Sequence, residues 1–325
     1  MIVPQFWAEG RVQHREHNRQ VTVRRFGWSD ESQAAAQSHA DARAREALAK
    51  VLAGEPRPRR EQKVPYNGAE GAPIREEIVS RHRASVVTRN SYGAKCLNTP
   101  NVFFADIDFA ARFSLRGCVM TVAILLAGAA LMFAIAATRQ TAILSALAVL
   151  IVGYFVLKYV RRVSRSVKGG EEQIALARVR RFIERNPAWH VRLYRTPAGL
   201  RVLAMHKTFE PDGPEVAEAF QELAVDPIYA RMCCRQHCFR ARGSPKPWRI
   251  GISDHLRPRP GVWPVAPERL PMRNAWLKNY DATSIDYASC ALIDSLGSGT
   301  VHPETRFVQE LHDELCQACR PLPLA

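Results

Sequence analysis

The chain has 325 residues, of which 47% are hydrophobic, and its 46 Lys and Arg residues against 31 Asp and Glu residues give a net charge of +15. This length accommodates two modest domains or one large one. The positive charge favours a nucleic-acid phosphate backbone or an anionic membrane surface as the partner. The first residues lack the apolar core of a signal peptide, so we expect no secretory leader there.

Residues 1–73 are interpreted as a basic N-terminal region. Alternation over 19–26 predicts one strand. The stretch Ser29-Asp-Glu-Ser32 offers an N-cap for a helix over about 30–53, a stretch rich in Ala, Arg, Glu and Leu that Gly54 and Pro56 end. A linker rich in Pro and Arg then connects this region to the rest of the chain.

Residues 74–116 predict the first part of an α+β domain. Apolar β-formers over 84–88 and 101–108 predict two strands, and the second strand contains Asp106 and Asp108. Because side chains alternate along a strand, both carboxylates face the same side of the sheet. Paired carboxylates are typical ligands of hard divalent cations, although a strand that ends in a solvated turn gives the same pattern.

The most apolar stretch is 117–160. A run of 21 residues, 117–137, carries no charge, and a second run extends over 141–158 after a polar break that contains Arg139. A bilayer core about 30 Å thick needs about 20 apolar residues in a helix, and a helix satisfies its own backbone hydrogen bonds in lipid. We therefore predict a two-helix transmembrane hairpin, with a buried helical pair in a soluble core as the alternative.

The charges that flank this stretch determine the expected topology. Arg112 and Arg116 precede the first run, and several Lys and Arg residues follow the second from Lys158 onward, whereas the turn carries only Arg139. The positive-inside rule then places both termini in the cytoplasm. The sequence predicts a two-pass protein of the inner (cytoplasmic) membrane, with the lipid bilayer as a partner.

Residues 161–325 predict the second part of the α+β domain and a C-terminal helix. Strand patterns occur over 190–206, as a β-hairpin, and over 237–252, where basic and apolar residues alternate. We expect these strands and the two strands before the apolar stretch to share one mixed or antiparallel sheet with helices on one face, because neither half has enough strand to form a sheet alone. The predicted fold class is an α+β cytoplasmic domain that a transmembrane hairpin interrupts.

The eight cysteines should be mostly reduced thiols in a cytoplasmic protein. Two clusters stand out, one with Cys233 and Cys238 and the other with Cys316 and Cys319. Four thiols suit a zinc site, since zinc prefers tetrahedral thiolate and imidazole ligands. Ordinary buried thiols are the alternative.

Three short motifs follow one another along the chain: Phe104-Ala-Asp106-Ile-Asp108, Ala204-Met-His206 and Val225-Asp226. A basic run with Arg240 and Lys246 comes next. In order and chemistry, residues from about 85 to 252 resemble the archaeo-eukaryotic primase superfamily, which includes the primase-polymerases. That family carries a D-x-D strand, a small-x-His motif, a hydrophobic-Asp motif and a basic run.

The resemblance implies two-metal nucleotidyl transfer, in which metals clamp the attacking and leaving oxygens and cations neutralise the phosphates. Mg²⁺ or Mn²⁺ would be held by Asp106, Asp108 and Asp226, and His206 would complete the catalytic set. Asp254 and Asp286 are alternatives to Asp226. The residues expected to bind the nucleotide are Arg201, Arg240, Lys246 and Arg249.

Two functions are compatible with the sequence. One is a membrane-anchored nucleotidyltransferase, similar to a primase-polymerase, that acts on a nucleotide or a nucleic acid. The other is a two-pass membrane protein without enzymatic activity, whose basic cytoplasmic domain binds anionic lipid, nucleic acid or a protein partner. The first function requires Asp106 and Asp108 to lie in one pocket with His206 and Asp226.

Overall fold

A computed structural model of the chain describes residues 1–16, 19–55, 73–109, 170–258 and 263–325, together with a few single helical positions between 127 and 155. The chain divides into two compact units. The first consists of residues 1–107, 183–197 and 201–325, and the second of residues 108–182 and 198–200.

The N-terminal region is a two-stranded antiparallel ribbon with a helix packed on it. Strands β1 (Phe6–Glu16) and β2 (Arg19–Ser29) pair along their whole length and helix α1 (Gln33–Leu52) follows. The Ser32 hydroxyl accepts a hydrogen bond from the Ala35 amide at 3.1 Å, which caps the helix. The predicted helix is therefore confirmed, whereas strand β1 was not predicted.

Two glycines allow α1 to lie directly on the ribbon. A Cβ atom at Gly27 would lie 2.1 Å from the Ala40 backbone nitrogen, and one at Gly10 would lie 2.3 Å from the Ala40 carbonyl oxygen. The buried face of the helix consists of small residues: Ala36, Ala40, Ala44 and Ala47. Small side chains on one element and glycines on the other bring the two backbones into contact.

Eight further strands are described outside the ribbon. In chain order they are β3 (Glu77–His82), β4 (Ser85–Arg89), β5 (Lys95–Thr99), β6 (Phe104–Asp108), β7 (His190–Thr196), β8 (Gly199–Ala204), β9 (Phe239–Arg242) and β10 (Ala291–Gly297). They form two four-stranded sheets with the orders β3-β4-β5-β9 and β10-β7-β8-β6. The first of these sheets is antiparallel throughout.

The prediction of a single shared sheet is therefore wrong. The reason is β5, a strand that the sequence did not predict. It pairs with β4 on one side and with β9 on the other, so β9 joins the strands near residue 86 and leaves β6 to pair with β8. The β7–β8 hairpin itself is confirmed.

The other described helices are α2 (Gly170–Arg185), α3 (Pro214–Leu223), α4 (Pro227–Gln236), α5 (Leu270–Ser284) and α6 (Pro303–Cys316). Each of the last four has Pro in its first turn, where the missing N–H costs nothing. Asp226 caps α4 by accepting a hydrogen bond from the Ile228 amide at 3.2 Å.

Within the described ranges, no helix is long and apolar enough to cross a bilayer. This finding contradicts the two-pass topology, the inner-membrane localisation and the fold class with its interrupting hairpin. Helices α1 and α2, for example, bury Ala40 and Val179 and carry the charged Lys50 and Arg185 in their last turns. The apolar runs 117–137 and 141–158, on which that prediction relied, lie almost wholly outside the described residues.

An aromatic core positions the strand that carries Asp106. Phe103, immediately before β6, is fully buried. Its ring centroid lies 5.2–5.5 Å from those of Trp189, Phe209, Phe220 and Phe239. Burying a ring of this size stabilises the fold by about 3–5 kcal/mol relative to alanine, so the start of β6 is firmly anchored.

Candidate functional site

A cavity of about 780 Å³ lies in the first unit. Its walls come from β6, β9, α4, the segments around residues 75, 92 and 250, and one ring of α5. Ligand-binding clefts are typically about 300–1,000 Å³. The charged side chains that line it include Glu76, Asp106, Arg240, Arg242, Lys246 and Asp254.

Arg240 is a structural cation of the cavity wall. Its Nη2 donates to both carboxylate oxygens of Glu76 at 2.7 and 2.6 Å, and its Nη1 donates to Asn98 Oδ1 at 3.2 Å. Burial opposes the charge of Arg240, but Cys96 and Glu76 outweigh it and raise the pKa well above the ordinary value. The positive charge of Arg240 is thus already balanced within the protein.

Arg242 is differently placed, although it lies two residues further along the same strand. Among the described residues no carboxylate pairs with it, and its buried Nε atom has no hydrogen-bond partner. Gln236, 8% exposed, likewise has a buried Oε1 atom without a partner and lines the same cavity. Buried polar atoms are almost always hydrogen-bonded, so a donor and an acceptor are here available to a ligand.

Aromatic side chains form another part of the wall. The rings of Tyr92 and Trp248 meet edge to face with centroids 5.3 Å apart, and the Lys246 ammonium lies 5.4 Å from the Trp248 ring centroid. Trp276 stacks on Tyr280 at 5.3 Å, with an interplanar angle of 9°. Trp248 remains 55% exposed, which leaves part of its ring available for stacking.

Asp106 reaches the cavity from β6 and is held by Arg201 of the neighbouring strand β8. Arg201 Nε donates to Oδ1 at 2.8 Å and Nη2 donates to Oδ2 at 3.2 Å. On its other side the guanidinium donates to the Arg242 carbonyl oxygen at 3.0 Å. Asp106 raises the pKa of Arg201 well above its ordinary value in spite of burial, which acts in the opposite direction.

The predicted site residues are only partly brought together. Asp106, Arg240 and Lys246 line the cavity, as does Asp254, the alternative acid, and Arg201 supports Asp106. Asp226, Arg249 and His206 do not line it. Asp108 is an exposed residue of the second unit, and Asp286 is also exposed.

Asp226 nevertheless lies next to Asp106 through the backbone. Its amide donates to the Asp106 carbonyl oxygen at 3.4 Å, while its side chain caps α4. His206 packs against Trp189 and Phe209 with centroid distances of 4.8 and 5.4 Å, and its Nδ1 accepts from the His190 amide at 3.4 Å. His206 is therefore a packed histidine with a satisfied nitrogen.

The four predicted zinc ligands are not assembled. Cys233 and Cys238 are fully buried, and burial raises the pKa of Cys238 to about 11, so it stays a thiol. Cys319 is exposed. Cys316 instead lies beside Cys290 and His312. Within the described part of the chain, these three residues form the group of potential ligands that is close enough to share a metal ion.

The sequence interpretation missed Arg242, Gln236 and the aromatic rings as site residues. Alternation along β9 was the available signal, since it puts Arg240 and Arg242 on one face of the strand. The rings of Tyr92 and Trp276 had no such signal, because they come from segments far apart in sequence.

Comparison with protein-family models, with curated proteins and with solved structures gives no match.

Proposed function

We propose that the cavity binds a nucleoside phosphate, either free or at the end of a nucleic-acid strand. The observation that carries the proposal is the position of Arg242, a half-buried cation with no carboxylate partner in the described residues, beside the aromatic side chain of Tyr92. Phosphate needs a cation, and a nucleobase needs a flat apolar surface and hydrogen-bond partners.

The phosphate end is assigned to Arg242 and Lys246. Arg240 and Arg201 already have carboxylate partners, Glu76 and Asp106, so they contribute less to the field that an incoming anion meets. A guanidinium in a cleft recognises phosphate through paired N–H donors. The net charge of +15 would draw anionic ligands to the protein.

The base end is assigned to the exposed ring of Trp248, with Tyr92 against its edge. Base–aromatic stacking contributes about 1–3 kcal/mol per base and tolerates any base. The unpaired amide oxygen of Gln236 supplies an acceptor for an exocyclic amine. The cavity should therefore bind a nucleotide with weak preference among bases.

Metal-dependent nucleotidyl transfer is a second candidate, and the place of Asp106 in the cavity favours it. The described acids do not form a ready metal site, however. Both oxygens of Asp106 accept from Arg201, and Asp226 uses an oxygen to cap α4. Binding of Mg²⁺ or Mn²⁺ by these residues stays a prediction, and no reaction step is assigned to it.

The test is isothermal titration of ATP into the full chain, with and without Mg²⁺. Wild-type protein should bind, and Arg242→Gln should bind at least about tenfold more weakly, because a charge-assisted hydrogen bond contributes about 1.5–3 kcal/mol. The matched control is Arg231→Gln, an exposed arginine of α4 that does not line the cavity.

Absence of binding by the wild-type chain would overturn the proposal. So would equal weakening by both substitutions, since that would indicate a diffuse basic surface. Binding that strictly requires the metal and is lost in Asp106→Asn would instead support a metal-dependent nucleotide site that includes Asp106.

A further inference from the structure

Two thiols and an imidazole lie together in the first unit, away from the cavity lining. Cys290 precedes β10, and His312 and Cys316 occupy one face of the end of α6 at i and i+4. Each of these three side chains is at most 1% exposed. Their ligating atoms all lie within 4.8 Å of one another.

We propose that Cys290 Sγ, Cys316 Sγ and His312 Nε2 bind a zinc ion. Zn–S bonds of about 2.3 Å and Zn–N bonds of about 2.0 Å separate sulfur and nitrogen ligands by roughly 3.5 Å in a tetrahedron. Cys290 Sγ lies 3.8 Å from His312 Nε2. The carbonyl oxygen of Arg242 lies 3.5 Å from Cys316 Sγ but already accepts a hydrogen bond from Arg201 Nη1, so a water molecule takes the fourth corner, as at other three-ligand zinc sites.

The second ring nitrogen of His312 is held in the way that zinc ligands require. Its Nδ1 lies 3.0 Å from Asp313 Oδ1, and Asp313 is itself fixed by Arg192 at 2.9 Å and Gln309 at 2.7 Å. A carboxylate on Nδ1 keeps the proton there and directs the Nε2 lone pair towards the thiols. Zinc-bound histidines almost always have such a partner.

The charges of the group also suit a divalent cation. Zinc binding releases the thiol protons of Cys290 and Cys316 to solvent, because only deprotonated thiols ligate a metal. Two thiolates then neutralise Zn²⁺, so the site itself carries no net charge.

Arg201 is the neighbour that must adjust. Its Nη1 lies 3.2 Å from His312 Nε2, 3.9 Å from Cys316 Sγ and 3.0 Å from the Arg242 carbonyl oxygen. When Nε2 binds zinc, Nη1 gives up that contact and donates to the metal-bound thiolate of Cys316. Its ion pair with Asp106 uses Nε and Nη2, so it is retained.

The experiment is elemental analysis of the full chain, purified under reducing conditions from zinc-supplemented medium, with competition titration of zinc into the apoprotein. We expect one zinc per chain in the wild type, and the same in Cys234→Ser, the control at an exposed cysteine. Cys290→Ser should lose the metal. Asp313→Asn should keep the stoichiometry but bind about 10- to 100-fold more weakly, as loss of an outer partner does.

A variant that fails to fold leaves the wild-type titration as the deciding measurement. Uptake of Co²⁺ by the wild-type apoprotein, with a sulfur-to-cobalt charge-transfer band, supports the site. No uptake of either metal overturns the proposal and leaves the group as acceptors for Arg201. Zinc that is retained in Cys290→Ser, or a Cys290–Cys316 disulfide recovered in place of zinc, overturns it as well.

Discussion

Arg201 and Asp106 form a bidentate ion pair between neighbouring strands, with nitrogen–oxygen distances of 2.8 and 3.2 Å. Arg201 is 1% exposed, whereas Asp106 reaches the cavity. The same guanidinium lies 3.2 Å from His312 Nε2. One buried side chain thus fixes the acid of the cavity and also contacts the cysteine–histidine group behind it.

Replacing Arg201 should be among the most damaging single substitutions. Arg201→Met leaves the Asp106 carboxylate, whose side chain is 34% exposed, without its counter-ion. We expect a loss of about 1–3 kcal/mol of the free energy of unfolding, less than the roughly 3–5 kcal/mol of a fully buried pair. Urea titration at pH 7 measures the loss. Arg231→Met, at an exposed position, should change stability by no more than about 0.5 kcal/mol, and similar losses in the two variants would contradict the role assigned to the ion pair.

Gly27→Ala should detach α1 from the ribbon. The new methyl group would lie 2.1 Å from the Ala40 backbone nitrogen, and neither backbone can yield without breaking hydrogen bonds. Overpacking of this kind costs about 1–3 kcal/mol. Hydrogen exchange of the β1 and β2 amides measures this loss of stability. The control is Gln13→Ala, at an exposed position on β1. Unchanged protection in Gly27→Ala would show that the helix and the ribbon do not approach this closely in solution.

Trp248→Ala should weaken nucleotide binding without unfolding the protein, because Trp248 is 55% exposed. Loss of one stacking contact removes about 1–3 kcal/mol, so the dissociation constant should rise about 5- to 150-fold. Titration of ATP measures this, and Ile285→Ala, at a residue 62% exposed outside the cavity lining, is the control. An unchanged dissociation constant in Trp248→Ala would show that the base does not stack on the Trp248 ring.

The stability of the protein should depend on pH through His206. Burial is the main cause that lowers the pKa of this imidazole, with Lys207 acting in the same direction and Glu215 against it. The unfolded chain takes up a proton below about pH 6.5, while the folded chain does so only at lower pH. The free energy of unfolding should therefore fall as pH decreases from about 7 towards the folded pKa.

Urea midpoints of wild type and His206→Gln at pH 7.5 and 5.5 separate this contribution from those of the other histidines. The wild type should lose more stability on acidification than the variant. An identical pH dependence in the two proteins would rule out His206 as the cause.

Local patterns in the sequence predicted the elements that local interactions form. The N-cap stretch 29–32 and the alanine-rich stretch after it predicted α1, and the Thr196-to-Gly199 turn between two apolar runs predicted the β7–β8 hairpin. Strand β5 was not predicted because its sequence shows little alternation. Its pairing with β4 and β9 stabilises it nonetheless. Hydropathy over 117–160 led to the membrane prediction, which no described helix supports.

The candidate sites depend on pairs that no local pattern reveals. Glu76 and Arg240 are 164 residues apart, and Arg201 and His312 are 111 apart. The predicted zinc set relied on the Cys316-to-Cys319 spacing, but the thiol that lies in one cluster with Cys316 and His312 is Cys290, just before β10. The sequence indicated which residue types could bind a ligand or a metal. The hydrogen-bond and ion-pair partners of those residues became apparent only in the folded structure.

The separation of β6 and β8 along the chain also has a consequence for synthesis. Asp106 leaves the ribosome 95 residues before Arg201, an interval of roughly 5–20 s at about 5–20 residues per second. During that time β6 has no β8 to pair with, and β10 arrives later still. Unpaired strand edges invite association with other chains, so the yield of native protein should rise when nascent chains are dilute.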